Sequence, residues 1–173
     1  GGSVNVTLPF GSSLLNLISL FTVSDSAKAY IGSTLQNSGT SVNNFTTTVT
    51  YTIIAQDTNY KKTYTINISF GKSKSCDLLT YAFQSPAVTG TITPNATGGT
   101  VALTVPFGTS LNNIKALFTI SDSAKIYIGT VAQITGVTSN DFSTTVAYKI
   151  IAQDTVYSKI YLVSVTVAAN TAS

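Results

Sequence analysis

The chain has 173 residues, of which 43% are hydrophobic and only 9% are charged, and its net charge is +3. The hydrophobic share excludes a disordered chain, because it is sufficient for one large core or two small ones. The sequence contains no Arg, Glu, His, Met or Trp, and without arginine there is no bidentate group for phosphate or guanine, so no nucleic-acid partner is expected.

The polar positions are filled mainly by Thr, Ser and Asn, a composition typical of hydroxyl-rich β-proteins that work outside the cytoplasm. Cys76 is the only cysteine, so an intrachain disulfide is impossible, and we expect a buried or linker residue, with a crosslinking thiol as the alternative. No apolar run approaches the roughly 18–20 residues of a membrane span, so membrane insertion is not expected.

The first strong pattern along the chain lies in residues 49–70, which read VTYTIIAQDTNYKKTYTINISF. Apolar side chains alternate with hydroxyl and amide side chains on both sides of a polar QDTN turn. Such alternation is typical of antiparallel strands that bury one face. The segment therefore predicts a β-hairpin, with Tyr51 and Tyr64 facing inward and with Asp57 and Asn59 bonding backbone amides in the turn.

The second half of the chain shows the same alternation and no helical periodicity. The predicted strands are 78–84, 90–93, 100–105, 116–120, 125–129, 144–153 and 159–167. The turn signals PNATGG, PFG and SDSA separate them, and a short helical turn within residues 108–116 is left open. Seven short strands in about 90 residues predict a Greek-key β-sandwich of the immunoglobulin-like class.

The sequence repeats itself at a spacing of 97 positions without a gap: GGSVNVTLPFGSSL matches GGTVALTVPFGTSL, and LFTVSDSAKAYIG matches LFTISDSAKIYIG. About half of the aligned positions are identical, which indicates duplication of one unit. We therefore predict an all-β chain of two tandem β-sandwich repeats. Their bounds are 1–72 for the first, 73–77 for a linker, 78–168 for the second and 169–173 for the start of a further linker.

The two repeats differ at their start. Residues 77–97, DLLTYAFQSPAVTGTITPNAT, have no counterpart in the first repeat, because Gly1 already aligns with Gly98. The first repeat is therefore predicted to lack one or two N-terminal strands. Either the chain is an excerpt of a longer tandem array, or a strand from a neighbouring molecule covers the open sheet edge.

The order of these elements, with an LFT[VI]S segment and a Y-x-IIAQD hairpin, resembles the cadherin-like and immunoglobulin-like surface repeats of Bacteroidetes. The resemblance covers the second repeat and all of the first except its start. It implies a secreted or surface-anchored module, often part of a stalk or adhesin shaft and sometimes beside a glycan-binding domain. Thr58 and Thr155 stand where the common hairpin turn has glycine.

The same resemblance implies modification sites. Asp-Ser/Thr-aliphatic triplets can be O-glycosylation acceptors in such proteins, which marks Ser26, Ser123 and Thr155. The alternative is that the DSA triplets simply form tight turns in which Asp or Ser bonds the backbone.

No catalytic or metal site is predicted, and no cofactor. The chain has six aspartates, nine lysines and one cysteine, but no histidine or glutamate that would titrate near neutrality. Four aspartates occupy equivalent turn positions in the two repeats, which indicates backbone capping: Asp25, Asp57, Asp122 and Asp154. Zinc would lack His and paired Cys ligands, and calcium would have only Asp77 as a weak candidate.

Aromatic residues are the candidates for carbohydrate contact, since sugars stack on aromatic rings. Tyr60 and Tyr157 lie at equivalent positions after the hairpin turns and are the chosen pair. Further candidates are Tyr30, Tyr127 and Tyr81.

The leading hypothesis is a non-enzymatic, extracellular structural repeat of a bacterial surface stalk, filament or adhesin, in contact with adjacent repeats or neighbouring subunits. The alternative is a glycan-binding module of a surface protein, which would make carbohydrate a partner. A second alternative is a filament subunit that polymerises by strand exchange through the incomplete first repeat.

Overall fold

The computed structural model of the chain describes residues 1–170, and over these residues it contains strands and turns but no helix. The helical turn left open for residues 108–116 is therefore not formed, and no described segment is a helix able to cross a membrane. Residues 171–173, the end of the predicted second linker, lie outside the described residues. The contacts divide the chain into unit 1, Gly1–Lys72, and unit 2, Ser73–Ser173.

Unit 1 is built on one five-stranded sheet and a small two-stranded sheet. Its strands are β1 (Gly2–Leu8), β2 (Leu17–Ile18), β3 (Lys28–Ile31), β4 (Thr34–Gln36), β5 (Val42–Asn43), β6 (Val49–Ile54) and β7 (Lys61–Phe70). The larger sheet has the order β1-β7-β6-β3-β4, and β2 pairs with β5. The predicted hairpin forms its centre as β6 and β7, and β1 runs parallel to β7 along its whole length.

Unit 2 repeats this plan and adds strands to it. Its strands are β8 (Leu78–Phe83), β9 (Val88–Thr89), β10 (Thr91–Asn95), β11 (Gly98–Val105), β12 (Ile114–Ile120), β13 (Lys125–Ile128), β14 (Val131–Ala132), β15 (Ser139–Asn140), β16 (Val146–Ile151) and β17 (Ser158–Val167). A six-stranded sheet, β10-β11-β17-β16-β13-β14, lies over a four-stranded sheet, β15-β12-β8-β9. All seven predicted strands are present, and the prediction of an all-β chain of two tandem β-sandwich repeats is confirmed.

The core of unit 2 is aromatic and closed. Tyr81 and Phe83 of β8 are 1% and 2% exposed, and they pack edge-on against Tyr148 and in a tilted arrangement against Phe142, with ring centroids 5.5 and 4.8 Å apart. The Tyr81 hydroxyl donates a hydrogen bond of 3.1 Å to the Tyr148 hydroxyl, which also accepts one from the Asn140 amide. Side chains from both sheets thus fill the space between them.

The core of unit 1 is smaller, with only Ala29, Phe45, Val49 and Tyr51 fully buried. Residues 19–23 match residues 116–120 of β12 in sequence but belong to no strand. In unit 2 that segment pairs with β8, and within the described part of unit 1 no strand takes the place of β8. The absence of a counterpart of β8 within residues 1–72 agrees with the sequence alignment, in which residues 77–97 have no equivalent.

The linker predicted for residues 73–77 has no regular structure and packs on unit 2. Ser73 and Cys76 are buried at 4% exposure, and the Gln153 side chain accepts a hydrogen bond of 2.8 Å from the Ser73 amide. The expectation of a buried Cys76 is confirmed, and burial raises the pKa of its thiol.

Candidate functional site

Two equivalent hairpin loops carry the tyrosines chosen from the sequence. In unit 1 the Ala55 amide donates to the Tyr60 carbonyl at 3.0 Å, and the Thr58 amide donates back to the Ala55 carbonyl at 2.9 Å. Asp57 accepts a hydrogen bond from the Asn59 amide at 3.1 Å. These bonds fix a four-residue loop of defined shape at the tip of the β6–β7 hairpin.

The loop of unit 2 is built in the same way. The Ala152 amide donates the equivalent hydrogen bond to the Tyr157 carbonyl at 2.9 Å. Asp154 accepts two backbone hydrogen bonds, from Val156 at 2.9 Å and from Tyr157 at 3.2 Å. The predicted capping role of the loop aspartates is therefore confirmed at Asp57 and Asp154.

Both loops place a threonine in the left-handed backbone region, with φ of 61° at Thr58 and 65° at Thr155. Glycine is the residue that adopts this conformation without strain, and a β-branched side chain is the least suited to it. The loops therefore have the shape of a glycine-containing turn although threonine stands at this position. The same strained residue type thus stands at the same position of both units.

The rings of Tyr60 and Tyr157 face solvent, with 74% and 49% of each residue exposed. Lys74 adds a charge to the second of these positions, since its Nζ lies 5.6 Å from the centroid of the Tyr157 ring. Each unit thus presents one exposed tyrosine ring beside a hydrogen-bonded loop.

The other tyrosine candidates are less accessible. Tyr30 and Tyr127 are half-buried in β3 and β13. The suggestion that Tyr81 contacts sugar is wrong, because β8 directs its ring into the core of unit 2 against Tyr148. The alternation of Tyr81 and Phe83 along β8 was the signal for burial.

The three residues predicted as O-glycosylation acceptors are all exposed at turns. Ser26 and Ser123 occupy the left-handed position of equivalent DSA turns, with φ of 58° and 60°. These turns are closed by hydrogen bonds from Ala27 to Ser24 and from Ala124 to Ser121, so the tight turn is present. The third residue, Thr155, donates its hydroxyl to the Asp154 carbonyl at 2.6 Å. Their modification remains a prediction.

The weak calcium candidate Asp77 is engaged in an ion pair with Lys159. Within residues 1–170 no three acidic, cysteine or histidine side chains come together as metal ligands would. The hydrogen bond that Lys159 donates to the Asp77 carboxylate raises the pKa of Lys159. The pair ties the start of unit 2 to β17.

Unit 1 contains a feature that sequence reasoning missed, an open apolar groove of about 530 Å³. We call it the unit 1 groove, and its floor includes Val4, Val6, Phe21, Tyr51, Ile53 and Ile66. Tyr60, Lys61 and Lys62 stand at its margin. The sequence indicates the groove only indirectly, because residues 77–97 of the second repeat have no counterpart in the first.

Residues 1–68 and 78–165 match the protein family described as "SGBP, N-terminal". The chain belongs to this family. Its members are N-terminal domains of surface glycan-binding proteins of Bacteroidetes. The expectation of a Bacteroidetes surface module is confirmed in this form, and both β-sandwich units take part in the match.

Two solved structures show a more distant similarity. A protein from Bacteroides thetaiotaomicron, provisionally described as a glycoside hydrolase, is 24% identical over 57% of this chain and 26% of that one, with a TM-score of 0.42. A chimeric titin Z1Z2 tandem functionalised with a GRGDS peptide from fibronectin is 10% identical over 83% and 84% of the two chains, with a TM-score of 0.22. Neither similarity is close enough to carry an argument. No curated protein matches the chain.

Proposed function

We propose that the chain is a non-enzymatic, glycan-contacting module of a bacterial surface protein, in which Tyr60 and Tyr157 bind sugar rings. The supporting observation is that a member of a glycan-binding family presents one exposed tyrosine at the same place on both units. The flat face of a phenol ring is apolar and matches the C–H face of a pyranose. The fixed loop backbone lowers the entropy lost when that contact forms.

A single tyrosine contact gives weak binding, because one ring covers little of a saccharide. Two contacts on one polysaccharide raise the apparent affinity through effective concentration. A chain of two units with one exposed tyrosine each is therefore expected to bind a long polysaccharide more tightly than a short oligosaccharide. We therefore expect the apparent affinity to rise with the length of the glycan.

The test is affinity gel electrophoresis of the chain against soluble glucans, mannans, xylans and galactans of graded length. Retardation by at least one long glycan is expected, reduced by Tyr60→Ala or Tyr157→Ala and abolished in the double variant. Phe107→Ala is the matched control, since Phe107 is 63% exposed and follows β11 at the opposite end of the sheet from Tyr157. Undiminished binding by the double variant would refute the role of the tyrosines.

A second candidate function is that of a spacer in a surface stalk. It is favoured by unit 2, where the largest aromatic side chains, Tyr81, Tyr148, Tyr161, Phe83 and Phe142, all serve the closed core. A spacer is expected to bind none of the glycans in the panel while remaining folded and monomeric. The same gels, with sedimentation as a check on monomer state, therefore separate the two functions.

A further inference from the structure

The unit 1 groove occupies the position that is solid core in unit 2. Val4 and Val6 of β1 are 41% and 37% exposed, whereas their counterparts Val101 and Leu103 of β11 are 0% and 3% exposed. Phe21 shows the same difference, since it is half-buried while its counterpart Phe118 is 9% exposed. The side chains that form the core in unit 2 are present in unit 1, but one layer of the sandwich is missing above them.

In unit 2 the missing layer is supplied by β8. This strand runs antiparallel to β12, with Tyr81 opposite Phe118 and Phe83 opposite Ala116. Its side chains Leu78, Tyr81 and Phe83 are 1–5% exposed and lie against the residues that match the groove floor. The chain itself therefore shows which chemistry fills such a groove.

Tyr51 provides an independent sign of a missing partner. The residue is 6% exposed, and its hydroxyl is the one buried side-chain polar atom without a hydrogen-bond partner among the described residues. At the equivalent place in unit 2 the Tyr148 hydroxyl accepts a hydrogen bond from Tyr81. A buried hydroxyl without a partner is costly, so the groove favours an occupant that carries a donor at this point.

The edge that would receive the strand is already in place. The Gly39 amide bonds the Ser19 carbonyl at 3.0 Å and the Phe21 amide bonds the Ser38 hydroxyl at 2.8 Å. The equivalent bonds of β12 in unit 2 measure 2.8 and 2.9 Å. Residues 19–23 are thus held from one side as β12 is, and their other side is where β8 would pair.

The glycine pair at the start of each sheet indicates that more than one strand is missing. A side chain at Gly99 would meet the Thr93 backbone of β10 at 2.4 Å, so the glycine is required for close approach of that strand. Its counterpart Gly2 has nothing within 4 Å. The space of β10, like that of β8, is open in unit 1.

We infer that the unit 1 groove is a docking site for an extended polypeptide segment with the β8 pattern, leucine, tyrosine and phenylalanine at relative positions 1, 4 and 6. The segment pairs antiparallel with residues 19–23, and its tyrosine hydroxyl donates to Tyr51. A second copy of this chain is not the donor, because its own β8 is buried in unit 2 and would have to leave that core. Tyr60 stands at the margin of this groove, whereas Tyr157 belongs to unit 2, so the inference is separate from the proposed sugar contact of Tyr157.

The test is an NMR titration of the full chain with a synthetic peptide of residues 77–97. Amide shifts are expected at Val4, Tyr51 and Ile53 and not at their counterparts in unit 2. A peptide of the same composition in scrambled order is the first control and is expected to give no shifts. Absence of binding, equal binding of the scrambled peptide, or shifts mainly in unit 2 would overturn the inference.

Two pairs of variants test the docked geometry. Val4→Asp places a charge on the groove floor and is expected to abolish peptide binding, while Asn5→Asp places the same charge on the outer face of β1 and is expected to preserve it. The Tyr81→Phe peptide is expected to bind the natural chain roughly five- to tenfold more weakly, because the bond to Tyr51 is lost. Against Tyr51→Phe protein, which keeps the ring and the fold, this difference should vanish or reverse. An unchanged difference would contradict the proposed contact.

The other possible occupants give distinct results. Concentration-dependent dimerisation of the free chain, with release of β8 from unit 2, would identify a second copy and overturn the inference. If a soluble glucan shifted the groove-floor residues and the peptide did not, the occupant would be a glycan and the inference would be overturned. Groove shifts by the peptide alone support it.

Discussion

Single residues show how strongly the fold constrains the turns. Thr155 holds a left-handed conformation that costs a non-glycine residue about 1–2 kcal/mol. Thr155→Gly in unglycosylated protein is therefore expected to raise the free energy of unfolding of unit 2 by about 1 kcal/mol, measured by urea denaturation. Thr104→Gly is the matched control, since the exposed Thr104 lies within β11 and glycine there should destabilise by a similar amount. A neutral or negative effect at Thr155 would show that the turn is not strained.

The buried phenol pair of unit 2 predicts a dependence on pH. Burial raises the pKa of Tyr81 and Tyr148, so the folded unit keeps these protons to a higher pH than the unfolded chain does. The stability of unit 2 is therefore complete below about pH 10, the usual pKa of tyrosine, and falls as the pH rises above it.

The measurement is the urea midpoint of unit 2 on both sides of that pH, followed by the methyl NMR signals of unit 2. Tyr81→Phe is the comparison, because it removes one of the two protons concerned and should make the decline shallower. A decline of the same steepness in the variant would mean that other groups cause it.

At the scale of elements, the long strands were predictable and their partners were not. Periodicity located the hairpins and the main strands of unit 2, but the two-residue strands β9, β14 and β15 are too short to show a pattern. The segment LFT[VI] forms β12 in unit 2 and no strand at residues 20–23 of unit 1. The same local sequence therefore has two outcomes, and the presence of β8 decides between them.

The difference between local patterns and long-range packing also determines which features of the candidate site could be predicted from the sequence. The exposure of Tyr60 and Tyr157 follows from their position beside a polar turn, which the sequence displays. The burial of Tyr81 depends on which strand covers it, and the unit 1 groove depends on a strand that is missing. Both are properties of packing between elements that are distant in sequence, so no local pattern reports them directly.

Substitution of two equivalent isoleucines compares the stability of unit 2, which contains β8, with that of unit 1, which has no counterpart of β8. Ile150 is 0% exposed in unit 2, while its counterpart Ile53 is half-buried at the groove floor. Ile150→Ala is expected to cost about 2–5 kcal/mol and Ile53→Ala about 1 kcal/mol, because the second change leaves no enclosed cavity. Unfolding of each unit, followed by its own NMR signals in urea, provides the two values. Equal costs would mean that the groove is closed in solution.

At the scale of the whole molecule, duplication was evident from the sequence, while function was not. Composition pointed to a surface protein, and the tandem repeat with the resemblance to surface repeats led to a stalk as the first hypothesis. Membership of the SGBP N-terminal family favours the glycan-binding alternative. A β-sandwich serves many functions, so a fold predicted from periodicity does not select one of them.

The central claim is that the chain contains one β-sandwich twice, closed in unit 2 and open in unit 1. Amide hydrogen exchange of β6 and β16 tests it most directly, because each strand is hydrogen-bonded on both sides within its own sheet. Exchange from such strands reports the stability of the unit that contains them. We expect the amides of Val49–Ile54 to exchange at least about tenfold faster than those of Val146–Ile151. Equal protection of the two strands, or slower exchange in unit 1, would contradict the account.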